Sequence, residues 1–311
     1  MKIIFLGTPD FAVPSLKKLV DSHHEILAVV TQTDKKVGRD QKVVFSPVKK
    51  LALENSIKVL QYNKIRVEGV DDIKALSPDI MVTCAFGQIL SQELIDIAPL
   101  GIINVHGSLL PKYRGAAPIQ QAVIDGEEKT GITIMQTEAG IDTGDILSVV
   151  ETPIGENETA GELFDRLAEM GANLLMETLD RLEKGEITPI KQDHSKATHV
   201  SMIKKGDGLI NWENDARSIF NHIRGMNPWP CAFTMHSGKM LKIFTARVVA
   251  DNVFEGLPGS VLSADIGTGL LVKCGKDALL ITELQLEGGR RMTSHDFLLG
   301  RKISVGDRFT W

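Results

Sequence analysis

Asn104 and His106 stand two residues apart at the end of the apolar run Ile102–Val105, and Ser108, Leu109, Leu110, Pro111, Lys112, Tyr113, Arg114 and Gly115 follow. Side chains two apart in a strand share one face. An amide and an imidazole would therefore face one surface at a strand's carboxyl end. Both can donate hydrogen bonds to an oxygen that gains negative charge, as acyl transfer requires. Pro111 and Gly115 make the following chain an irregular loop that could wrap a ligand. Asp142 lies in a second, glycine-flanked loop, Ala139–Asp145, between the apolar runs Ile132–Met135 and Ile146–Val150. Beside the imidazole, its carboxylate would orient the ring and favour the ring's charged form. Taken singly, an Asn or His at a strand end is more often a satisfied structural group, and a Gly-Asp loop is often only a turn.

Other chemistries lose support. The turn Gly7-Thr8-Pro9-Asp10 after the first apolar run has one glycine where a dinucleotide fingerprint needs GxGxxG, and Pro9 removes an amide donor that a phosphate would use. No GxxxxGK[ST] occurs. The three cysteines, Cys84, Cys231 and Cys274, form no CxxC pair, so neither a disulfide nor a zinc site is expected. The pairs His23-His24 and His194 with His199 lack an HExxH pattern and read as surface or loop positions. No metal is expected.

The elements that must hold these residues alternate: Lys2–Leu6, the helix-like Ala12–Leu19, Ile26–Val30, then Ile57–Leu60, Ile80–Ala85 and Ile102–Val105. Runs without polar alternation fit parallel strands covered on both faces. The fold class expected is α/β, with a Rossmann-like open, parallel-rich sheet whose ligands bind beyond the strands' carboxyl ends. Thr159 and Glu162 form a capping-box pattern. Leu163, Leu167, Met170, Leu174, Met176, Leu179 and Leu182 then mark a long helix ending near Gly185. We expect a catalytic domain over 1–189, a polar linker over 190–207, and a small β-barrel or sandwich over 208–311. Its strands are expected at Met240–Val249, Gly259–Leu262, Leu270–Cys274 and Leu279–Leu286.

A chain of 311 residues with 43% hydrophobic and 24% charged residues suits two globular domains. Asp10 interrupts the N-terminal run before a signal-peptide core is complete, and no run approaches a membrane span of about 20 residues. A cytoplasmic location with no membrane partner is expected. Net charge is −5 overall. Residues 207–311 hold 12 basic against 11 acidic residues, net +1, which leaves 23 against 29, net −6, in residues 1–206. That asymmetry names no ligand. Locally, Asp34–Lys50 carries Lys35, Lys36, Arg39, Lys42, Lys49 and Lys50 against Asp34 and Asp40. A long basic loop of this kind suits phosphate contacts, and standing alone it reads more readily as a solvated surface loop.

Asn104-x-His106 followed by Ser108-Leu109-Leu110-Pro111-x-Tyr113-Arg114-Gly115 resembles the signature of folate-dependent formyltransferases, with Asp142 matching their third catalytic residue. Three further segments resemble the branch that acts on charged initiator tRNA: Gly7-Thr8-Pro9-Asp10-Phe11-Ala12, Thr31-Gln32-x-Asp34 through Ser46-Pro47-Val48-Lys49, and Asn227-Pro228-Trp229-Pro230. The likeness continues to Gly288–Met292 and Asp296-Phe297-Leu298, so it spans nearly the whole chain.

The resemblance implies transfer of the formyl group of 10-formyltetrahydrofolate to the α-amine of methionyl initiator tRNA. Asn104, His106 and Asp142 would be catalytic. Phe86, Gly87, Gln88, Ser108, Leu109, Leu110 and Pro111 would hold the folate. Lys35, Lys36, Arg39 and Lys42 would contact tRNA, and the second domain would be an OB-like barrel holding the tRNA body. A monomer is expected. The alternatives are a formyltransferase acting on a small amine, a hydrolase of formyltetrahydrofolate, and a non-enzymatic RNA-binding protein, which leaves Asn104, His106 and Asp142 without a role.

Overall fold

The computed structural model describes residues 1–37, 41–250, 255–300 and 303–310. Up to Val200 the chain forms β1 (Lys2–Gly7), α1 (Val13–Val20), β2 (Glu25–Thr31), β3 (Lys35–Val37), β4 (Lys42–Val44), α2 (Pro47–Glu54), β5 (Val59–Gln61), α3 (Ile65–Glu68), α4 (Val70–Leu76), β6 (Ile80–Cys84), α5 (Gln92–Ile95), β7 (Ile102–His106), β8 (Arg114–Gly115), α6 (Pro118–Ile124), β9 (Lys129–Gln136), β10 (Ile146–Pro153), α7 (Ala160–Glu183) and β11 (His199–Val200).

Seven strands make one sheet in the order β10-β9-β7-β6-β1-β2-β5. The strands β5, β2, β1, β6 and β7 run parallel, and β9 is antiparallel to β7. The parallel strands are the ones whose sequences lack polar alternation. Ile3, Ile4, Phe5 and all of β6 are buried, as expected when both faces are covered. Ile4, Leu6, Val30, Ile73, Met81, Phe86 and Ile102 share one apolar cluster. Burying such side chains contributes about 1.5–3 kcal/mol each, which fixes the sheet beneath the loops that follow β1, β6 and β7.

Helix α7 starts as its sequence implies. The Thr159 amide donates to Glu162 Oε2 at 2.9 Å, and the Glu162 amide to Thr159 Oγ1 at 3.3 Å. Gly185 ends the run at φ +69°, a conformation that glycine adopts without penalty.

The chain divides into two compact units. The first comprises Met1–Pro118, Lys129–Thr152 and Phe164–Val200, and the second Ile119–Glu128, Pro153–Leu163 and Ser201–Trp311. This differs from a linker over 190–207, because residues 190–200 belong to the first unit. Ile190 bridges Ile146, and β11 pairs in parallel with β8. Gln192 is buried, its Nε2 donating to the carbonyls of Asp142 (3.0 Å) and Gly144 (2.7 Å). The segment shows no apolar periodicity because hydrogen bonds, rather than an apolar face, attach it.

The second unit holds α8 (Ala216–Gly225), β12 (Ala232–His236), β13 (Lys239–Val249), β14 (Val261–Asp265), β15 (Gly269–Lys273), β16 (Ala278–Leu286), β17 (Met292–Thr293) and α9 (Ser294–Gly300). Its sheet is antiparallel, in the order β12-β13-β16-β15-β14, with β17 beside β16. Residues 306–310 reach both edge strands, through the bridges Ser260↔Arg308 and Met235↔Thr310. Both sheet edges are thus occupied, as an OB-like barrel expectation requires. Strand β12 and helices α8 and α9 are elements the sequence reading did not mark.

Trp212 is fully buried in this unit. Its Nε1 donates to Thr234 Oγ1 at 3.0 Å, and that hydroxyl donates to the Thr310 carbonyl at 2.8 Å. Thr234→Val keeps the shape and leaves the buried Trp212 Nε1 unpaired, while the Thr310 carbonyl keeps the Met235 amide as donor at 2.9 Å. It is expected to lower unfolding stability by about 1–3 kcal/mol, read as a lower urea midpoint at unchanged m-value.

Candidate active site

Strand β7 carries Asn104 and His106 toward the same side, and each faces a threonine across the sheet. Asn104 is in register with Thr83 of β6, and His106 with Thr133 of β9. Thr83 Oγ1 donates to Asn104 Oδ1 at 2.9 Å. The amide is thereby oriented, and no described residue accepts a hydrogen bond from its NH2 group. Thr133 Oγ1 donates to the Ser108 carbonyl at 2.7 Å and accepts from the Leu110 amide at 3.2 Å, which ties the loop after β7 to β9. Ser108 Oγ closes the same loop on the Lys112 carbonyl at 2.7 Å.

His106 is buried, and its Nε2 lies 3.0 Å from the Tyr113 carbonyl. A carbonyl only accepts, so Nε2 carries the proton and Nδ1 is the nitrogen left for chemistry. On that side lies Asp142 Oδ2, 3.7 Å away. This separation exceeds a hydrogen bond and is a charge contact. The ring is therefore oriented by Tyr113 rather than by Asp142 alone. Asp142 Oδ2 accepts the Gly115 amide at 2.8 Å, so one tripeptide, Tyr113 to Gly115, fixes both the imidazole and the carboxylate. Asp142 itself has φ +51°, an unusual conformation for a residue with a side chain. Gly144 permits the loop's close return, because a Cβ there would stand 2.0 Å from the Gln136 carbonyl. Sequence reasoning missed Thr83 and Thr133, although a hydroxyl inside an otherwise apolar buried run calls for a partner.

The residues expected to hold a folate surround this strand end in sequence, and several have structural duties. Phe86 belongs to the apolar cluster, and its carbonyl accepts from Gln32 Nε2 at 3.0 Å. Gln88 Oε1 accepts the Ile65 amide and Gln88 Nε2 donates to the Tyr62 carbonyl, both at 2.9 Å. Ser108 and Leu110 are buried, while Leu109 and Pro111 are partly exposed. Gly87 is exposed at φ +75°, next to exposed Ile89. The surface of this turn available to a ligand is thus largely backbone and apolar.

The basic segment is not simply a loop. Strands β3 and β4 pair antiparallel, Lys35 with Val44 and Val37 with Lys42. Lys35, Lys36 and Lys42 are exposed, as are Val43, Val44 and Phe45. Arg39 lies outside the described residues. At the base, Lys49 Nζ bonds Asp34 Oδ2 at 2.6 Å and Gln61 Oε1 at 2.8 Å, and Gln61 Nε2 donates to Asp34 Oδ1 at 3.0 Å. Ser46 caps α2 by accepting the Lys49 amide.

Burial alone would raise the Asp34 pKa, but the hydrogen bonds from Lys49 and Gln61 outweigh it, and the carboxyl titrates below its ordinary value. A depressed folded pKa contributes stability that is present above the unfolded value, about 3.9, and is lost as pH falls through the folded value. Lys49→Met is therefore expected to narrow the stability difference between pH 7 and strongly acidic pH, measured by thermal unfolding across that range.

Among the described residues, one group has spacing that could suit a metal ion: His23, His24 and Glu183. Glu183 already pairs with its neighbours, through Oε2 to His23 Nε2 (3.1 Å) and Oε1 to the Met1 amine (3.3 Å), and His24 Nδ1 lies 3.3 Å from the same amine. His24, expected at the surface or in a loop, lies in the connection between α1 and β2 and is buried, and that burial lowers its pKa. No helix among the described residues is long and apolar enough to cross a membrane.

Residues 1–179 match the formyl transferase family, and residues 202–302 match the formyl transferase C-terminal domain. The methionyl-tRNA formyltransferase of Acetivibrio thermocellus is 47% identical over 308 residues, covering 99% of both chains. That of Geobacter sulfurreducens is 48% identical over 309 residues, covering 99% of this chain and 96% of its own. Among solved structures, WlaRD, a sugar 3N-formyl transferase determined in the presence of dTDP and 5-N-formyl-THF, aligns with a TM-score of 0.67 at 22% identity. The alignment covers 93% of this chain and 99% of that one. At that identity the likeness concerns the fold.

Proposed function

This chain belongs to the formyl transferase family, and we propose that Asn104, His106 and Asp142 form the centre at which it transfers the formyl group. Its activity is folate-dependent formyl transfer to methionyl-tRNA. In the reading proposed here the donor is 10-formyltetrahydrofolate and the acceptor is the α-amine of methionyl initiator tRNA, in the cytoplasm. The observation that carries the assignment is the NH2 of Asn104, without an acceptor among the described residues, beside an imidazole whose Nδ1 faces a carboxylate at 3.7 Å.

The reaction joins the acceptor's amine nitrogen to the formyl carbon and breaks that carbon's bond to N10. The amine loses one proton and N10 gains one. Asn104 Nδ2 donates to the formyl oxygen as it becomes negative, where a preorganised donor stabilises the transition state most. His106, held through Nε2, supplies a second donor at Nδ1 when that atom is protonated. Asp142 stabilises the charged ring and relays the amine's proton toward N10. The turn at Gly87 and Ile89, with Leu109 and Pro111, covers the donor's rings, while Phe86, Gln88, Ser108 and Leu110 keep that surface in shape. Lys35, Lys36 and Lys42 on the hairpin, together with Arg39, contact tRNA phosphates, which position a nucleic acid without reading its sequence.

The test is transfer of labelled formyl from 10-formyltetrahydrofolate to methionyl initiator tRNA, methionyl elongator tRNA and free methionine. Label confined to the initiator supports the reading. Label on free methionine at a comparable rate would transfer the assignment to small amines, and folate consumed without any labelled acceptor would make the centre hydrolytic.

A further inference from the structure

We propose that Gln192 is a positioning residue for Asp142, held in its own orientation by Arg114. This rests on the reading that Asp142 takes part in formyl transfer.

Asp142 adopts φ +51°, a conformation that a residue with a side chain keeps only where its surroundings over-determine it. Two contacts do so here. The Gly115 amide holds the carboxylate at 2.8 Å, and Gln192 Nε2 holds the backbone carbonyl at 3.0 Å. The same NH2 reaches the Gly144 carbonyl at 2.7 Å, so one side chain spans the glycine-flanked loop on both sides of Thr143. Gln192 is 5% exposed and stands 50 residues from Asp142 in the chain.

The direction of this amide is not free. Its Oε1 accepts from Arg114 Nε at 3.2 Å and from the second guanidinium nitrogen at 2.6 Å. A guanidinium only donates, so it must meet the oxygen, and the NH2 must meet the two carbonyls. Arg114 is 3% exposed, and it is placed by β8, whose Arg114 amide donates to the Thr198 carbonyl at 2.9 Å. Tyr113, Arg114 and Gly115 thus reach His106, Gln192 and Asp142 in turn. Gln192 is the support that touches the Asp142 loop directly through a side chain, so it can be altered without touching the tripeptide backbone.

The test uses the full chain. Gln192→Glu keeps an acceptor for Arg114, now with charge, and removes the donor from both loop carbonyls. Gln192→Met removes both functions at similar length. A catalytic group misplaced by about 1 Å can cost about 100-fold in rate. Both variants are expected to lose about 10- to 100-fold in kcat, with KM for donor and tRNA changed less than about twofold, and both are expected to stay folded with a lower unfolding midpoint, because two loop carbonyls lose their donor. In an Asp142→Ala background the same substitutions should change the single-turnover rate by less than about twofold, because their effect passes through Asp142. An equal fall in both backgrounds, or a Gln192→Glu protein with wild-type kcat, overturns the proposal. Full turnover by Asp142→Ala alone is a distinct result, which removes the reading of Asp142 on which the proposal stands.

Discussion

Replacing Asn104 with alanine is expected to lower kcat about 100- to 1,000-fold, the usual effect of removing one preorganised oxyanion donor, while leaving KM for the folate donor within a few-fold. The expectation follows from how the amide is spent. Thr83 occupies its oxygen, and no described residue takes its NH2. The group is oriented for something outside the protein. Its removal leaves Thr83 with a second acceptor, the Ile103 carbonyl at 3.3 Å, so the sheet should not be weakened. Steady-state kinetics with saturating methionyl-tRNA, together with an unfolding curve, check both halves. A fall in kcat with a large loss of stability would point to a structural amide instead.

Asp142→Asn is expected to cost about 100- to 10,000-fold in kcat, the range spanned by acid–base groups. Asparagine keeps an oxygen for the Gly115 amide and keeps the backbone carbonyl for Gln192, so the loop's supports survive. What disappears is the negative charge 3.7 Å from His106 Nδ1. If that charge stabilises the imidazolium and relays the proton, rate falls while substrate affinity and fold persist. A decrease confined to KM would assign Asp142 to binding.

Parts of this arrangement are legible in the residues themselves. Two side chains spaced by one residue at the end of an apolar run must share a face, and Asn104 and His106 do. The Thr159–Glu162 pattern declares a helix start because its chemistry is local, three residues apart. Partners supplied by backbone or by distant segments leave no such trace. The Tyr113 carbonyl and the Gly115 amide carry no side-chain signal, yet they fix His106 and Asp142. Gln192 lies in a polar stretch that has no period to read, since β11 is two residues long and the rest is attached by individual hydrogen bonds. The hairpin β3–β4 looks like a loop in sequence because Lys35, Lys36, Lys42, Val43 and Val44 are exposed, so no apolar alternation marks it. His24 is buried by the geometry of the chain around Met1 and Glu183, which neighbours in sequence do not predict.

The most direct test of the account is the single-turnover rate of formyl transfer to methionyl initiator tRNA by His106→Ala, with donor and tRNA binding measured on the same protein. A His106→Gln companion keeps a donor for the Tyr113 carbonyl in case the alanine variant is unstable. Normal binding of both substrates is expected, with transfer slower by at least about 100-fold. Wild-type transfer by either folded variant would contradict this, because the centre built from Asn104, His106 and Asp142 would then not be where the formyl group moves.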